Sequence, residues 1–241
     1  FTGTNGDPPD PSSWYLAGTT PYINNNKLRM DAAGSSEQAW STLWVSGNLD
    51  VQVDFDNLNW NVAANAYTCE LRIQTAAGEY VNIRRLYDGN QRYKSHSWNG
   101  TTYYTLANTS TSDTSGKFRI TREGGTVKTY YWNAGWVEHA TDTYYVTGSD
   151  AVRFLLYLGS GGGNPTVQVN FDNFQADYIE TLLGEGTGTV DDCRWPVVVI
   201  PEGEAIGKIG IYPNTEYSFA PGVGYNCEWI DIGNVLTDYA Y

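Results

Sequence analysis

The chain has 241 residues, enough for one large β-sandwich or for a sandwich with a smaller module, and its 26 Gly, 19 Tyr and single Met favour strands and turns over helices. A formal net charge of -13 argues against a nucleic-acid partner, because phosphate binding needs clustered Lys and Arg. No apolar run reaches the ~18 residues that span a bilayer, so we expect no membrane anchor.

Along the chain, the first informative feature is a seven-residue repeat. Residues 51–57 read Val-Gln-Val-Asp-Phe-Asp-Asn, and residues 167–173 differ from them at one position, where Asn170 replaces Asp54. Apolar and polar residues alternate in both copies, which places the apolar side chains on one side of an extended strand. The repeat therefore predicts two half-buried strands whose buried side chains are Val51, Val53, Phe55, Val167, Val169 and Phe171.

Further strand candidates follow at short intervals, separated by Gly-rich turn signals. Residues 117–122 and 126–132 flank Glu123-Gly124-Gly125 closely enough to form a hairpin. The other candidates are residues 70–74, 80–85 and 151–158. Many short strands with almost no helical periodicity predict an all-β fold, a two-sheet antiparallel β-sandwich of the jelly-roll kind with a small C-terminal β-rich extension.

The C-terminal part differs from the rest in its short apolar runs punctuated by Pro. Residues 175–183 have some helical character and predict one or two helical turns. We expect a sandwich over residues 1–176, a Gly-rich linker over residues 177–188, and a β-rich segment over residues 189–241 that packs on the sandwich or on another subunit.

The three cysteines divide between these parts. Cys193 and Cys227 lie in the same C-terminal segment, and we predict a disulfide between them. Cys69 stands alone in a strand candidate, which predicts a buried, unpaired thiol.

Several stretches within residues 1–176 match one superfamily in short motifs. They are residues 1–7 leading to Trp14, residues 25–30, 46–55 and 116–122, then Trp132 and Trp136, and the closing residues 169–174. In these stretches the chain resembles the concanavalin A-like lectin/glucanase superfamily in its laminin-G-like jelly-roll form. The resemblance implies two packed antiparallel sheets, and a glycan-facing sheet on which exposed aromatic rings stack on sugars.

Acidic residues give little support for catalysis. Glycanases of this superfamily carry paired carboxylates in a Glu-x-Asp-x-x-Glu string, because two acids must flank one glycosidic bond. The sequence lacks such a string. Asp50, Asp54 and Asp56 share one face of a strand candidate, but the second copy of the repeat replaces the middle acid, so we assign no catalytic residue.

Calcium is the cofactor that the resemblance implies, since jelly rolls of this type often hold an ion where the ends of the domain meet. The candidate ligands are Asp7, Asp10 and Asp172, because Ca²⁺ takes carboxylate oxygens. The alternative is that these aspartates cap turns through their own hydrogen bonds.

Exposed aromatics and two sequons complete the candidate sites. Trp98 and Trp136 lie beside predicted loops and are the candidate glycan contacts, although a large sandwich must also bury many of its Trp residues. Asn99 and Asn108 begin Asn-x-Ser/Thr triplets and are candidate glycosylation sites.

These features favour a non-enzymatic structural or adhesive protein, extracellular or exposed on a virion as a decoration or tail component, or part of a fibre. We expect it to form homo-oligomers or a larger assembly through residues 189–241. A carbohydrate-binding module is the alternative, and a glycanase or polysaccharide lyase is the third hypothesis.

Overall fold

The computed structural model describes residues 1–18, 21–60, 67–146, 148, 150–160 and 166–178, which form two packed antiparallel sheets of seven strands each. Sheet A contains, from edge to edge, β1 (Trp14–Ala17), β4 (Ser36–Ser41), β13 (Val152–Ser160), β6 (Tyr67–Thr75), β7 (Tyr80–Tyr87), β8 (Gln91–Trp98) and β9 (Tyr103–Ser110). Sheet B contains β12 (Trp136–Asp142), β11 (Thr126–Trp132), β10 (Gly116–Glu123), β5 (Leu49–Asn59), β14 (Thr166–Tyr178), β3 (Lys27–Ala33) and β2 (Tyr22–Asn24). The predicted all-β sandwich is confirmed.

The two copies of the repeat lie side by side in sheet B. β5 and β14 pair antiparallel with Phe55 opposite Phe171, and the six predicted apolar side chains are all buried in the core between the sheets. Each copy ends at an asparagine with a left-handed backbone, Asn57 at φ 54° and Asn173 at φ 48°. The register of the pair shifts near each of them, so both copies end in a β-bulge, where asparagine tolerates positive φ.

The predicted hairpin is also confirmed, because β10 and β11 pair directly through the turn at Gly124 and Gly125. The strand prediction was incomplete elsewhere: it omitted β1 to β4, β8, β9 and β12. The predicted helical turns at residues 175–183 are wrong for residues 175–178, which continue β14 because they pair with β5.

Several predictions fall outside the described residues. They are the disulfide between Cys193 and Cys227, most of the linker at residues 177–188, and the β-rich segment at residues 189–241. Within the described part, Cys69 is buried and unpaired, as predicted. No helix in that part has the length and apolar character to cross a membrane.

Candidate functional site

The outer face of sheet A carries a groove with a volume of about 480 Å³. Cys69, Leu71 and Ile73 of β6 point into the core, so the alternating neighbours Glu70 and Arg72 point outward. The same alternation turns the outward residues of β7 and β8 to this face. The groove is lined by Thr68, Glu70, Arg72, Tyr80, Arg84, Lys94, His96, Tyr103, Thr105 and Tyr157.

Strand register brings these side chains together in two rows across the sheet. In one row Tyr157 lies beside Glu70, Glu70 beside Arg84, and Arg84 beside Lys94. In the next row Arg72, Asn82 and His96 follow one another, and Thr105 comes last. Charged residues from three consecutive strands therefore meet at the centre of the groove.

Glu70 is the single carboxylate among the described residues that line the groove, and its side chain is 1% exposed. Arg72 Nη2 forms an ion pair with Glu70 Oε1. Asn82 Nδ2 donates a hydrogen bond to Glu70 Oε2 at 2.6 Å, and Arg84 Nη1 lies 4.0 Å from the same oxygen. Two strands thus hold this carboxylate in one fixed position, with its charge compensated mainly by Arg72.

His96 is a buried histidine held beside two cations. Arg84 Nη2 donates to His96 Nδ1 at 2.9 Å, and His96 Nε2 lies 3.2 Å from Thr105 Oγ1. Because a guanidinium can only donate, Nδ1 must accept, which assigns the ring proton to Nε2. Burial, with Arg84 and Lys94 adding repulsion, lowers the pKa of His96 to about 3. The imidazole is therefore neutral at physiological pH.

Aromatic rings form the other part of the groove. Tyr103 is 61% exposed, and its ring centroid lies 4.1 Å from that of Trp98 and 6.4 Å from that of Tyr80. The Arg72 guanidinium lies 3.9 Å from the Tyr80 ring centroid and 5.7 Å from that of Tyr157. The groove thus presents one exposed ring on a rigid aromatic and guanidinium support.

The two predicted glycan-contacting tryptophans lie on different sheets. Trp98 ends β8 in sheet A and supports Tyr103 beside the groove. Trp136 begins β12 in sheet B, where its ring lies 5.5 Å from the Arg119 guanidinium and 5.4 Å from the Trp132 ring. The structure thus places them in different surroundings, and a role in glycan contact stays a prediction for each.

The carboxylates of Asp10 and Asp172 have other partners, and Asp7 forms a backbone hydrogen bond. Asp10 accepts hydrogen bonds from Ser12 and Ser13, Asp172 lies 4.0 Å from the amino group of Phe1, and the Asp7 carbonyl accepts from the Ile23 amide. Within the described ranges no group of three or more His, Cys, Asp or Glu side chains could hold a metal ion. The calcium prediction stays untested.

The sequon asparagines lie near the end of β8 and in β9. The Asn99 side-chain oxygen accepts hydrogen bonds from the amides of Thr101 and Thr102, which makes it a turn-forming residue. Asn108 is exposed and lies opposite Lys94 in the register of β8 and β9. Glycosylation at either residue stays a prediction.

The acidic cluster of the repeat lies away from the groove, on the outer face of sheet B. Its members form ion pairs with neighbouring strands, namely Asp50 with Arg119, Asp54 with Lys117, and Asp56 with Lys27. Each aspartate is thus matched by a cation, as expected for a polar surface of a sheet.

Sequence reasoning missed the polar residues of the groove. The available signal was the spacing of two between polar residues in three successive strands: Glu70 and Arg72, Asn82 and Arg84, Lys94 and His96. Glu70 also begins a stretch, Glu-Leu-Arg-Ile-Gln-Thr, in which Arg72 and Thr75 replace the second and third acids of the glycanase string.

Comparison with known proteins gives similarity of fold. Neither a protein-family model nor a curated protein matches the sequence. An uncharacterized protein of Mycobacterium paratuberculosis superposes with a TM-score of 0.57 at 16% identity, over 72% of this chain and 96% of that one. A glycoside hydrolase family protein of Mycobacterium thermorestibile gives 0.52 at 13% identity, over 73% and 97%. A structure of endo-acting O-glycanases of the human gut microbiota, which initiate mucin breakdown, gives 0.56 at 10% identity, over 72% and 95%.

These neighbours contradict the prediction of a non-enzymatic virion or fibre protein. Two of the three are named for glycan cleavage, and this chain covers nearly their whole length. The identities of 10–16% show a shared fold, a sandwich consistent with the concanavalin A-like group.

Proposed function

We propose that residues 1–176 are a concanavalin A-like domain that binds a carbohydrate chain in the groove of sheet A. The observation that carries this proposal is the combination of an exposed aromatic ring with fixed polar side chains in one groove. Sugars are recognised by ring stacking on their apolar faces and by hydrogen bonds to their hydroxyl groups. The glycan-directed names of two structural neighbours add support for this class of ligand.

Tyr103 is the expected stacking residue. Its ring is exposed, but Trp98 behind it limits its motion, so a sugar would meet a surface that is already in place. Such preorganisation lowers the entropic cost of binding. Arg84, Thr105 and Tyr157 of the groove lining would supply hydrogen bonds around the stacked ring.

The test is a glycan array followed by calorimetry with the full chain and two variants. Tyr103→Ala should weaken binding about three- to tenfold, the range expected for one aromatic contact. Trp136→Ala is the matched control, because it removes a partly exposed ring from the other sheet. Loss of binding in Trp136→Ala with normal binding in Tyr103→Ala would place the site on sheet B and refute the proposal.

Glycan cleavage in the same groove is the second candidate function. It is favoured by the carboxylate of Glu70 and the neutral imidazole of His96, which are groups able to take part in general acid–base chemistry. Hydrolysis by paired carboxylates needs two acids, and the described lining residues supply Glu70 alone.

A reducing-end assay on glycans bound by the full chain tests this second candidate. Glu70→Gln should abolish release of reducing ends while retaining binding and a cooperative melting transition. If Glu70→Gln releases reducing ends at an unchanged rate, Glu70 takes no part in the cleavage. If no bound glycan is cleaved, this second candidate fails and the binding proposal remains.

A further inference from the structure

The groove carries a surplus of positive charge on a strongly acidic protein. Its lining holds Arg72, Arg84 and Lys94 against the single carboxylate of Glu70, whereas the chain as a whole has a net charge of -13. Arg72 already forms the ion pair with Glu70, and His96 is neutral. Arg84 and Lys94 therefore remain as cations that the groove itself does not fully compensate.

Arg84 has donors that no neighbouring group uses. One Nη2 hydrogen bond goes to His96, Nη1 lies 4.0 Å from Glu70, and Nε is buried without a hydrogen-bond partner among the described residues. Asn82 is likewise fully buried, and its Oδ1 has no partner within that part of the chain. Both of these atoms lie below the groove surface. At 4.0 Å, Nη1 is beyond hydrogen-bond distance from Glu70, so it is the Arg84 donor that a ligand in the groove can engage.

Lys94 lies directly opposite Arg84 in the register of β7 and β8. Within the described residues, no carboxylate is at ion-pair distance from its amino group. Burial, with Arg84 and Arg92 adding repulsion, lowers the pKa of Lys94. Two adjacent cations without a shared carboxylate oppose folding, which is the arrangement expected where an anion binds.

We infer that the groove selects an acidic glycan, whose sugars carry carboxylate or sulfate groups. This inference rests on the proposed function, because it specifies which carbohydrate occupies that same groove. The Arg84 guanidinium offers a planar set of donors that suits the paired oxygens of a carboxylate or sulfate, and Lys94 adds a second positive charge beside it. Tyr103 would stack on the sugar ring that bears or adjoins the anionic group.

The experiment compares three oligosaccharides on one backbone: a polyuronate, its carboxyl-reduced neutral form, and a sulfated derivative of that neutral form. Calorimetry with the full chain should give at least tenfold tighter binding of one or both acidic forms than of the neutral form. Tighter binding of the polyuronate identifies the carboxylate as the preferred anion, and tighter binding of the derivative identifies sulfate. Either preference supports the inference.

Charge variants separate a specific site from general attraction. Lys94→Gln should weaken binding of the acidic form about tenfold and leave binding of the neutral form within twofold. Arg84→Gln should weaken binding of both forms, and of the acidic form at least fivefold more than of the neutral form. Lys128→Gln makes the same charge change on an exposed lysine of sheet B and should have no effect beyond twofold. Melting temperatures verify that each variant is folded. If Arg84→Gln does not fold, Lys94→Gln alone is sufficient for the test.

Results that contradict the acidic preference differ from results that contradict the proposed function. If the acidic and neutral forms bind equally well and Tyr103→Ala weakens the binding of both, the acidic preference is wrong and the proposed function stands. Equal losses in Lys94→Gln and Lys128→Gln would show general electrostatic attraction and also overturn the inference. Binding of no glycan in the array, or binding that Tyr103→Ala leaves unchanged, would refute the proposed function itself.

Discussion

Stability should fall between pH 7 and pH 5 because two histidines stay neutral in the folded protein. Burial is the first cause of the lowered pKa at both, to about 3 for His96 and about 4 for His139. The unfolded chain binds a proton at each histidine near pH 6.5, so the unfolded state gains more protons as the pH falls. The free energy of unfolding therefore decreases below pH 6.5, and the loss continues until the folded-state pKa is reached.

The magnitude follows from the linkage relation. A histidine that stays neutral in the folded protein lowers the free energy of unfolding by about 2 kcal/mol between pH 7 and pH 5. His96 is 7% exposed and should approach this value, whereas His139 is half-buried and should contribute about 1 kcal/mol after allowance for solvent. The sum of about 3 kcal/mol corresponds to a decrease in Tm of roughly 6–12 °C for a domain of this size.

Urea unfolding and calorimetry at pH 7, 6 and 5 measure this effect, with His96→Gln, His139→Gln and the double variant for comparison. Glutamine can still form a hydrogen bond at each position, and its side chain does not bind a proton in this pH range. Asp56 and Glu138 have lowered pKa values, so their contribution is lost mainly below pH 4 and stays outside the window. An unchanged pH dependence in the double variant would refute the reasoning.

Three further predictions concern the core and the repeat. Burial raises the pKa of the Cys69 thiol, so peptide mapping should find it unalkylated in the native protein and fully alkylated in denaturant; rapid native labelling would contradict its burial. Asn173→Ala should lower the free energy of unfolding by about 1 kcal/mol, because alanine disfavours positive φ, whereas Asn173→Gly should be nearly neutral; equal effects in urea unfolding would argue against the left-handed backbone. Phe171→Ala should cost about 3–5 kcal/mol, since it removes a fully buried ring from the centre of the core, and a loss below 1 kcal/mol would contradict that packing.

The alternation of apolar and polar residues predicted a strand correctly where the residues that point into the core are apolar. The two copies of the repeat satisfy this condition, and both were placed correctly as buried strands. In β8, by contrast, the inward positions include Ser95 and Ser97, which are buried but polar. Ser95 satisfies its hydroxyl group through Thr129 and His139 of sheet B, so the strand is stabilised by contacts that no hydrophobic pattern reveals.

The candidate site was harder to predict because it depends on register between strands. Glu70, Arg84 and Lys94 come from three strands, and a shift by one residue in either pairing would turn one of them to the core. Trp98 was selected as a glycan contact, whereas the exposed ring in the groove is that of Tyr103. The exposed aspartates of the repeat drew attention first, although they are matched by cations on sheet B.

The position of the last described strand affects how the chain folds. β14 lies between β5 and β3, and its Asn170 bonds to Asp56, 114 residues earlier. During synthesis, sheet B therefore consists of two unconnected pieces with open edges until residues 166–178 emerge from the ribosome. Pairings this distant slow folding, and unpaired strand edges invite association between nascent chains. Truncated chains that end before residue 166 should accordingly aggregate, even though every strand of sheet A is present.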